Sequence, residues 1–227
     1  MSTFCLSAAL LVSALVLGQE SNSNSSAPPA ALVRQRSGAP LCVIQLDERV
    51  HDLGEGHSAV ELTKSRTCRD SSGRLRIEVL QPSGEPSTIT LLDPAEKSAV
   101  VLVPAGRVAY RIQVPRNQES EAALGLLGLG EALPAGNWKV TGTEPLGDRM
   151  IDGIDFVGSR ITEVSDNPAM TASYERWYSN ELGLTALAVA SGPNWKHTVK
   201  VSEIQRREAD PSEFVVPPGY NLHEIGH

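Results

Sequence analysis

Aromatic residues are scarce in this chain: Trp 3, Tyr 4 and Phe 3 in 227 residues. Any sizeable core must therefore be built from Val, Leu, Ile and Ala, and the length suffices for one such domain without covalent staples. Lys and Arg form no cluster and number 20 against 27 Asp and Glu, a net charge of -7. Neutralising phosphates needs a basic face, so this balance argues against nucleic acid as partner and against anionic membrane surfaces.

Chemistry-bearing groupings are missing too. No G-x-S-x-G elbow, no glycine-rich phosphate cradle and no His partner for a nucleophilic Cys occurs. Gly128 and Gly130 lack a third glycine and a surrounding strand-helix-strand unit, so they are no dinucleotide loop. These absences favour a non-enzyme with no catalytic residue and no cofactor. Cysteine is limited to Cys5, Cys42 and Cys68, with no C-x-x-C pair to support redox chemistry or zinc ligation.

Charge is absent from residues 1–18, where an apolar run ends at Val16-Leu17-Gly18. The run is shorter than the ~20 residues of a membrane span and reads as a secretory signal peptide cleaved after Gly18, although no Lys or Arg opens it. Cys5 lies inside it without a lipid-attachment context. The mature protein is then expected in the periplasm or outside the cell, where a Cys42–Cys68 disulfide is permitted. Residues 19–40, rich in Ser, Asn, Pro and Ala, read as a disordered linker. Residues 41–220 are the expected folded domain, and 221–227 a C-terminal tail.

What the chain does have is alternation of apolar and polar residues between turn signals, the mark of antiparallel strands with one buried face. Residues 174–220 read as two long amphipathic strands and a closing clasp. Segments 41–51 and 58–69 flank Gly54-Glu55-Gly56; centring the loop on Glu55 sets Val50 opposite Val60, Arg49 opposite Glu61 and Cys42 opposite Cys68. That register also puts Cys42, Ile44, Leu46, Val50, Val60 and Leu62 on one face. Asp70-Ser71-Ser72-Gly73 is a further turn, after which Leu75, Ile77 and Val79 alternate with Arg74, Arg76 and Glu78. Strands follow at 88–92, 99–103 and 108–114. Residues 118–133 are the one helix candidate, apolar nearly all round and weakened by Gly125, Gly128 and Gly130 at about 1 kcal/mol each. Segments 138–151 and 154–164 meet at Asp152-Gly153, a strong hairpin signal. The fold class expected is mainly β: about ten strands in a strongly bent antiparallel sheet, an open or half β-barrel, with one or two short helices on it.

His223-Glu224-Ile225-Gly226-His227 fits H-E-x-x-H, in which two histidines one helical turn apart bind zinc. Its position after Pro217-Pro218-Gly219 at a frayed end, with no third ligand beyond, makes a zinc peptidase the weaker reading, and no metal is assigned. His51 and His57 flank Glu55 at a loop and read as solvated; His197 stands alone in a strand. Trp177 and Tyr178 read as packing rather than ligand stacking, and Arg111, Arg149, Arg160 and Arg176 as a solvated face.

The residues Glu175-Arg176-Trp177-Tyr178-Ser179 to Gly183-Leu184, with Asp210-Pro211-Ser212-Glu213-Phe214-Val215-Val216-Pro217-Pro218-Gly219-Tyr220, resemble secreted bacterial proteins of uncharacterised function. That likeness extends back through Arg69 to Arg74 and Asp152-Gly153-Ile154, and more remotely the chain resembles the outer-membrane lipoprotein-sorting carriers, the LolA-like superfamily. The resemblance implies an unclosed antiparallel barrel with helices over its mouth and an apolar hollow for acyl chains, with 118–133 as the covering element. It implies a non-catalytic carrier of a lipid or acyl chain, and assigns no ligand-binding residue. A structural protein of the cell envelope without a small-molecule ligand is the alternative.

Overall fold

The computed structural model describes residues 39–113, 138–167 and 170–225. The signal peptide, most of the linker and the helix expected at 118–133 lie outside the described residues. The first half is a meander: β1 (Leu41–Gly54), β2 (His57–Arg69), β3 (Leu75–Leu80), β4 (Pro86–Asp93), β5 (Ser98–Val103) and β6 (Val108–Gln113). The second half is β7 (Trp138–Ile151), β8 (Ile154–Ser165), β9 (Thr171–Ser179), β10 (Leu184–Gly192) and β11 (Trp195–Gln205), and β12 (Asn221–Ile225) follows. All twelve form one sheet in the order β12-β6-β5-β4-β3-β2-β1-β11-β10-β9-β8-β7. The sheet is open and curled, with β12 and β7 as its two edges.

Two meanders are thus joined by one long-range seam, the antiparallel pair β1–β11. Apart from the parallel β12–β6 pair, neighbouring strands on either side of it are joined by local turns. At the β1–β2 tip Glu55 and Gly56 both take positive φ, 54° and 79°, the pattern of a two-residue turn that follows the twist of its strands. The register matches the one read from the glycines: Val50↔Val60, Arg49↔Glu61 and Cys42↔Cys68 are Cα partners. Cys42 and Cys68 are disulfide-bonded, with Cα atoms 4.1 Å apart. Asp70 shapes the β2–β3 turn by accepting the Arg74 amide on Oδ1 at 2.8 Å, and its carboxylate holds the Arg74 guanidinium at 2.6 Å. Asp152 and Gly153, with φ of 51° and 76°, make the β7–β8 turn.

Three expectations need correction. Residues 174–220 hold three strands rather than two long ones, because Asn180, Glu181, Leu182 and Gly183 turn the chain between β9 and β10, with Gly183 at φ 57°. The tail is not frayed: Asn221–Ile225 is β12, paired parallel to β6 from Asn221↔Val108 to Ile225↔Ile112. His223 stacks on Tyr110 with centroids 5.6 Å apart, and Glu224 pairs with Arg111 at 2.9 Å. The strand count therefore exceeds ten.

The two faces of the sheet are covered differently. On the outer face, residues 206–220 run back as a strap over β1–β6. Asp210 caps the short 3-10 turn Pro211–Phe214 through Ser212 N, and Glu213 completes a capping box. Phe214 then packs with Ala209 on the disulfide, under the Arg74 guanidinium, 4.9 Å from its ring centroid. Val216 and Tyr220 pack on Ile89, Leu91, Val100, Leu102 and Ala109. Between these apolar contacts Arg66 bridges Glu78 at 3.3 Å and Glu213 at 3.0 Å, while Arg76 donates to the Glu213 carbonyl at 2.7 Å. The strap is therefore an integral layer.

The main apolar cluster lies at one end of the sheet, where Leu41 and Val43 of β1 meet Val201, Leu184, Ala186, Phe156 and Ile154, and Leu182 of the β9–β10 turn joins the group. Arg69, 2% exposed, clamps this end by donating to the carbonyls of Ala39, Leu182 and Gly183. Burial lowers its pKa from the ordinary guanidinium value, partly offset by the Tyr178 phenol. Its charge stays matched by carbonyl dipoles, as a buried guanidinium requires.

Candidate functional site

Directly opposed residues in antiparallel strands point to the same face. The register then gives one continuous inner row: Ile161 of β8, Tyr174 of β9, Ala190 of β10, His197 of β11 and Arg49 of β1. A neighbouring row is Ser159, Arg176, Ala188, Val199 and Asp47. Glu163 lies two residues along β8 from Ile161, opposite Ala172, on this same face.

These rows describe a trough. Its floor is β10 and β11, where Ala188 and Ala190 are half-buried and Ala186, Val199 and Val201 are buried. Alanine at alternate positions keeps the floor low, since taller side chains on β9 and β11 rise on both sides. One wall is Tyr174, Arg176 and Tyr178 on β9, with the Arg176 guanidinium 5.3 Å from the Tyr178 ring centroid. The other is His197 on β11 with Asp47 and Arg49 on β1: His197 Nε2 stands 2.9 Å from Asp47 Oδ2, and Arg49 Nε lies 3.3 Å from Asp47 Oδ1. The His197–Asp47 approach is at ion-pair distance but lacks hydrogen-bond alignment, so Nε2 has no directed acceptor.

Polar groups are buried along this face to an extent unusual for a sheet surface. Gln45, Asp47, Ser65, Thr67, Thr90, Glu163 and His197 are all at most 9% exposed. Most buried polar atoms are hydrogen-bonded in folded proteins. Here Thr67 Oγ1 and Glu163 Oε2 have no hydrogen-bond partner among the described residues. Burial pushes the Glu163 carboxyl above the usual carboxylate range, and it pushes the Tyr174 phenol up as well, with the Glu163 charge adding to it. Arg176 is lowered by burial, with Tyr178 opposing.

Arg176, Tyr178 and His197 apart, the residues singled out from the sequence fall elsewhere. His51 and His57 are exposed at the β1–β2 tip, and no group of three or more potential metal ligands occurs among the described residues. His223 lies on a strand rather than a helix, and His227 lies outside the described residues. Val60 and Leu62, expected on a buried face, are 58% and 60% exposed, because the strap stops short of the hairpin tip. The expected solvated arginine face is instead a set of specific contacts: Arg160 bridges Glu144 and Glu175, Arg149 lies 5.6 Å from the Trp177 ring centroid, Arg111 holds Glu224, and Arg176 lines the trough. Trp177 packs against the main cluster and donates from Nε1 to Glu175 at 2.8 Å. Of the wall residues, His197, Arg49, Arg176 and Tyr178 stand out in the sequence but for other roles, and Asp47 and Tyr174 do not stand out at all. The available signal was the polar odd-numbered series Gln45, Asp47, Arg49 continuing from Leu41 and Val43.

No family model and no curated protein matches the chain. Among solved structures it is similar to a LolA superfamily protein of Nitrosomonas europaea, with TM-score 0.40 and 11% identity over 78% of this chain and 90% of that one. It is similar to a putative outer membrane lipoprotein-sorting protein domain of Vibrio parahaemolyticus, with TM-score 0.31 and 10% identity over 76% of this chain and 88% of the other. Lipoprotein LppX of Mycobacterium tuberculosis gives TM-score 0.33 and 12% identity over 79% and 96% respectively.

Proposed function

We propose that this chain is an exported, non-catalytic binding protein that holds a hydrophobic or lipid ligand in the inner trough of its curled sheet. The observation that carries the reading is the low apolar floor of Ala188, Ala190 and Val199 between taller polar walls, a shape that accepts a linear apolar chain and leaves its polar end near groups able to bind it. Ligand sites of this kind are concave, mostly apolar and carry a few convergent polar groups. The signal-peptide-like residues 1–18 and the disulfide agree with a periplasmic or extracellular location.

Native mass spectrometry of protein purified without detergent tests it. A bound lipid or fatty chain released on unfolding is expected. Ligand-free protein that also fails to bind any long-chain amphiphile would leave a structural role in the cell envelope as the reading.

A further inference from the structure

The geometry points to a second element of that same trough, a recognition site for an ammonium or amine head group, made by the Glu163 carboxylate and the Tyr174 ring. It rests on the binding-protein reading and assigns the chemistry of the ligand's polar end.

Glu163 is 5% exposed, and its Oε2 is buried without a hydrogen-bond partner among the described residues. An unmatched carboxylate oxygen at this depth is costly for the empty protein, because a buried charge needs a partner. Its neighbours across the ladder do not supply one: Ala172 on β9 is 1% exposed and apolar, Val140 on β7 is apolar, and Ile161 precedes it on the same face. Tyr174, diagonally adjacent on the same face, lies close enough for the Glu163 charge to act on its phenol. The cations on this face do not reach it either. Arg176 is engaged with Tyr178, Arg49 stands beside Asp47, and Arg160 on the opposite face is held by Glu144 and Glu175.

A carboxylate with an aromatic residue diagonally adjacent on the same face, and no cation paired with it among the described residues, is an arrangement that can receive an alkylammonium: the N–H groups donate to the carboxylate while the charge sits over the ring. The floor at Ala190 lies two strands away, about 10 Å at the usual spacing, so an alkyl chain leaving the head group reaches the trough within a few bonds. A carboxylate or phosphate head would meet the like charge of Glu163 and is disfavoured at this end.

The test compares dodecylamine, dodecanol, dodecanoic acid and 2-aminoethanol as titrants of the full mature chain, read by tryptophan fluorescence and calorimetry below micelle formation. Dodecylamine is expected to bind about tenfold or more tightly than dodecanol, and Glu163→Gln to abolish that preference while leaving dodecanol unchanged, as the loss of one charge-assisted contact implies. Tyr174→Leu should weaken the amine selectively as a second variant, and Glu163→Asp should retain part of the preference. Equal binding of all head groups, or an amine preference that survives Glu163→Gln, overturns the head-group assignment and leaves the trough reading standing. Failure of every dodecyl compound to bind overturns the trough reading itself. If 2-aminoethanol binds as tightly as dodecylamine and depends on Glu163, the head-group site stands and its ligand is a free amine rather than a lipid.

Discussion

Asp47 and His197 approach to 2.9 Å across the seam that joins the two meanders, one from the first strand and the other from the last long one. Their side chains are 11% and 6% exposed, so the pair is desolvated as well as close. Neighbouring hairpins can form independently, whereas this seam pairs segments far apart in the chain, the kind of contact whose loop-closure cost slows its formation.

Removing one partner should therefore weaken the seam. His197→Ala leaves Asp47 with Arg49 alone in a buried setting, and a cost of about 1–3 kcal/mol is expected from the unmatched polar group. Urea unfolding should show the loss with an unchanged slope, and double substitution with Asp47→Ala should cost less than the sum. Additive effects would show that the two side chains do not interact.

The disulfide closes a loop with a sequence separation of 26 between its ends. On the chain-entropy account, opening it removes about 3 kcal/mol. Cys42→Ala with Cys68→Ala should lower the unfolding free energy by that order while the β1–β2 hydrogen bonds persist by amide exchange. Two free thiols in unfolded, non-reduced protein would show that the bond does not form.

Gly158 is needed for its lack of a side chain. A Cβ there would stand 2.8 Å from Leu146 Cβ and 2.9 Å from the Trp177 ring, and neither neighbour is the free end of a flexible chain. Gly158→Ala should therefore destabilise by about 1–3 kcal/mol and shift Trp177 fluorescence. At Gly142 the nearest atom to such a Cβ is 3.9 Å away, and Gly142→Ala should be close to neutral in the same thermal melt. A Gly158→Ala melt matching the wild type would mean that β7 and β8 slide apart freely at this point.

Local chemistry made much of the sheet legible. Gly54-Glu55-Gly56, Asp70 to Gly73 and Asp152-Gly153 each encode their turn within a few residues, and the register of β1 on β2 followed down to the cysteines. The seam was not legible, because no local pattern says that Asp47 meets His197. The trough was hidden for the same reason: Glu163, Tyr174, Ala190 and His197 share a face only through three successive pairings. The polar walls also ran against the expectation that alternation buries its apolar half, since Gln45 and Asp47 are inside while Val60 and Leu62 are out. β12 was missed because its five residues are all exposed, and its pairing with β6 is parallel and depends on the strap that carries the chain back.

Glu163 gives the trough a pH signature in the ligand-free protein. Burial raises its pKa above the ordinary carboxylate value, so the folded state binds that proton more tightly than the unfolded chain does. Its ionised form therefore detracts from stability above the raised pKa, and the deficit is relieved as pH falls through that value toward the unfolded one. The groups facing it are Tyr174, neutral until strongly alkaline pH, and further along the same face Arg176, His197, Asp47 and Arg49; none of these is within its hydrogen-bonding reach. Glu163→Gln keeps the shape and removes the charge. The variant's urea midpoint is expected to exceed the wild type's at about pH 7, with the gap closing at about pH 4, where the carboxyl is largely protonated in both states. Bound amine should reverse the order at neutral pH, because it stabilises only the protein that retains the carboxylate. A wild type that is the more stable protein at neutral pH in the absence of ligand would mean that Glu163 already has a partner, and the trough would then lack a site for an ammonium.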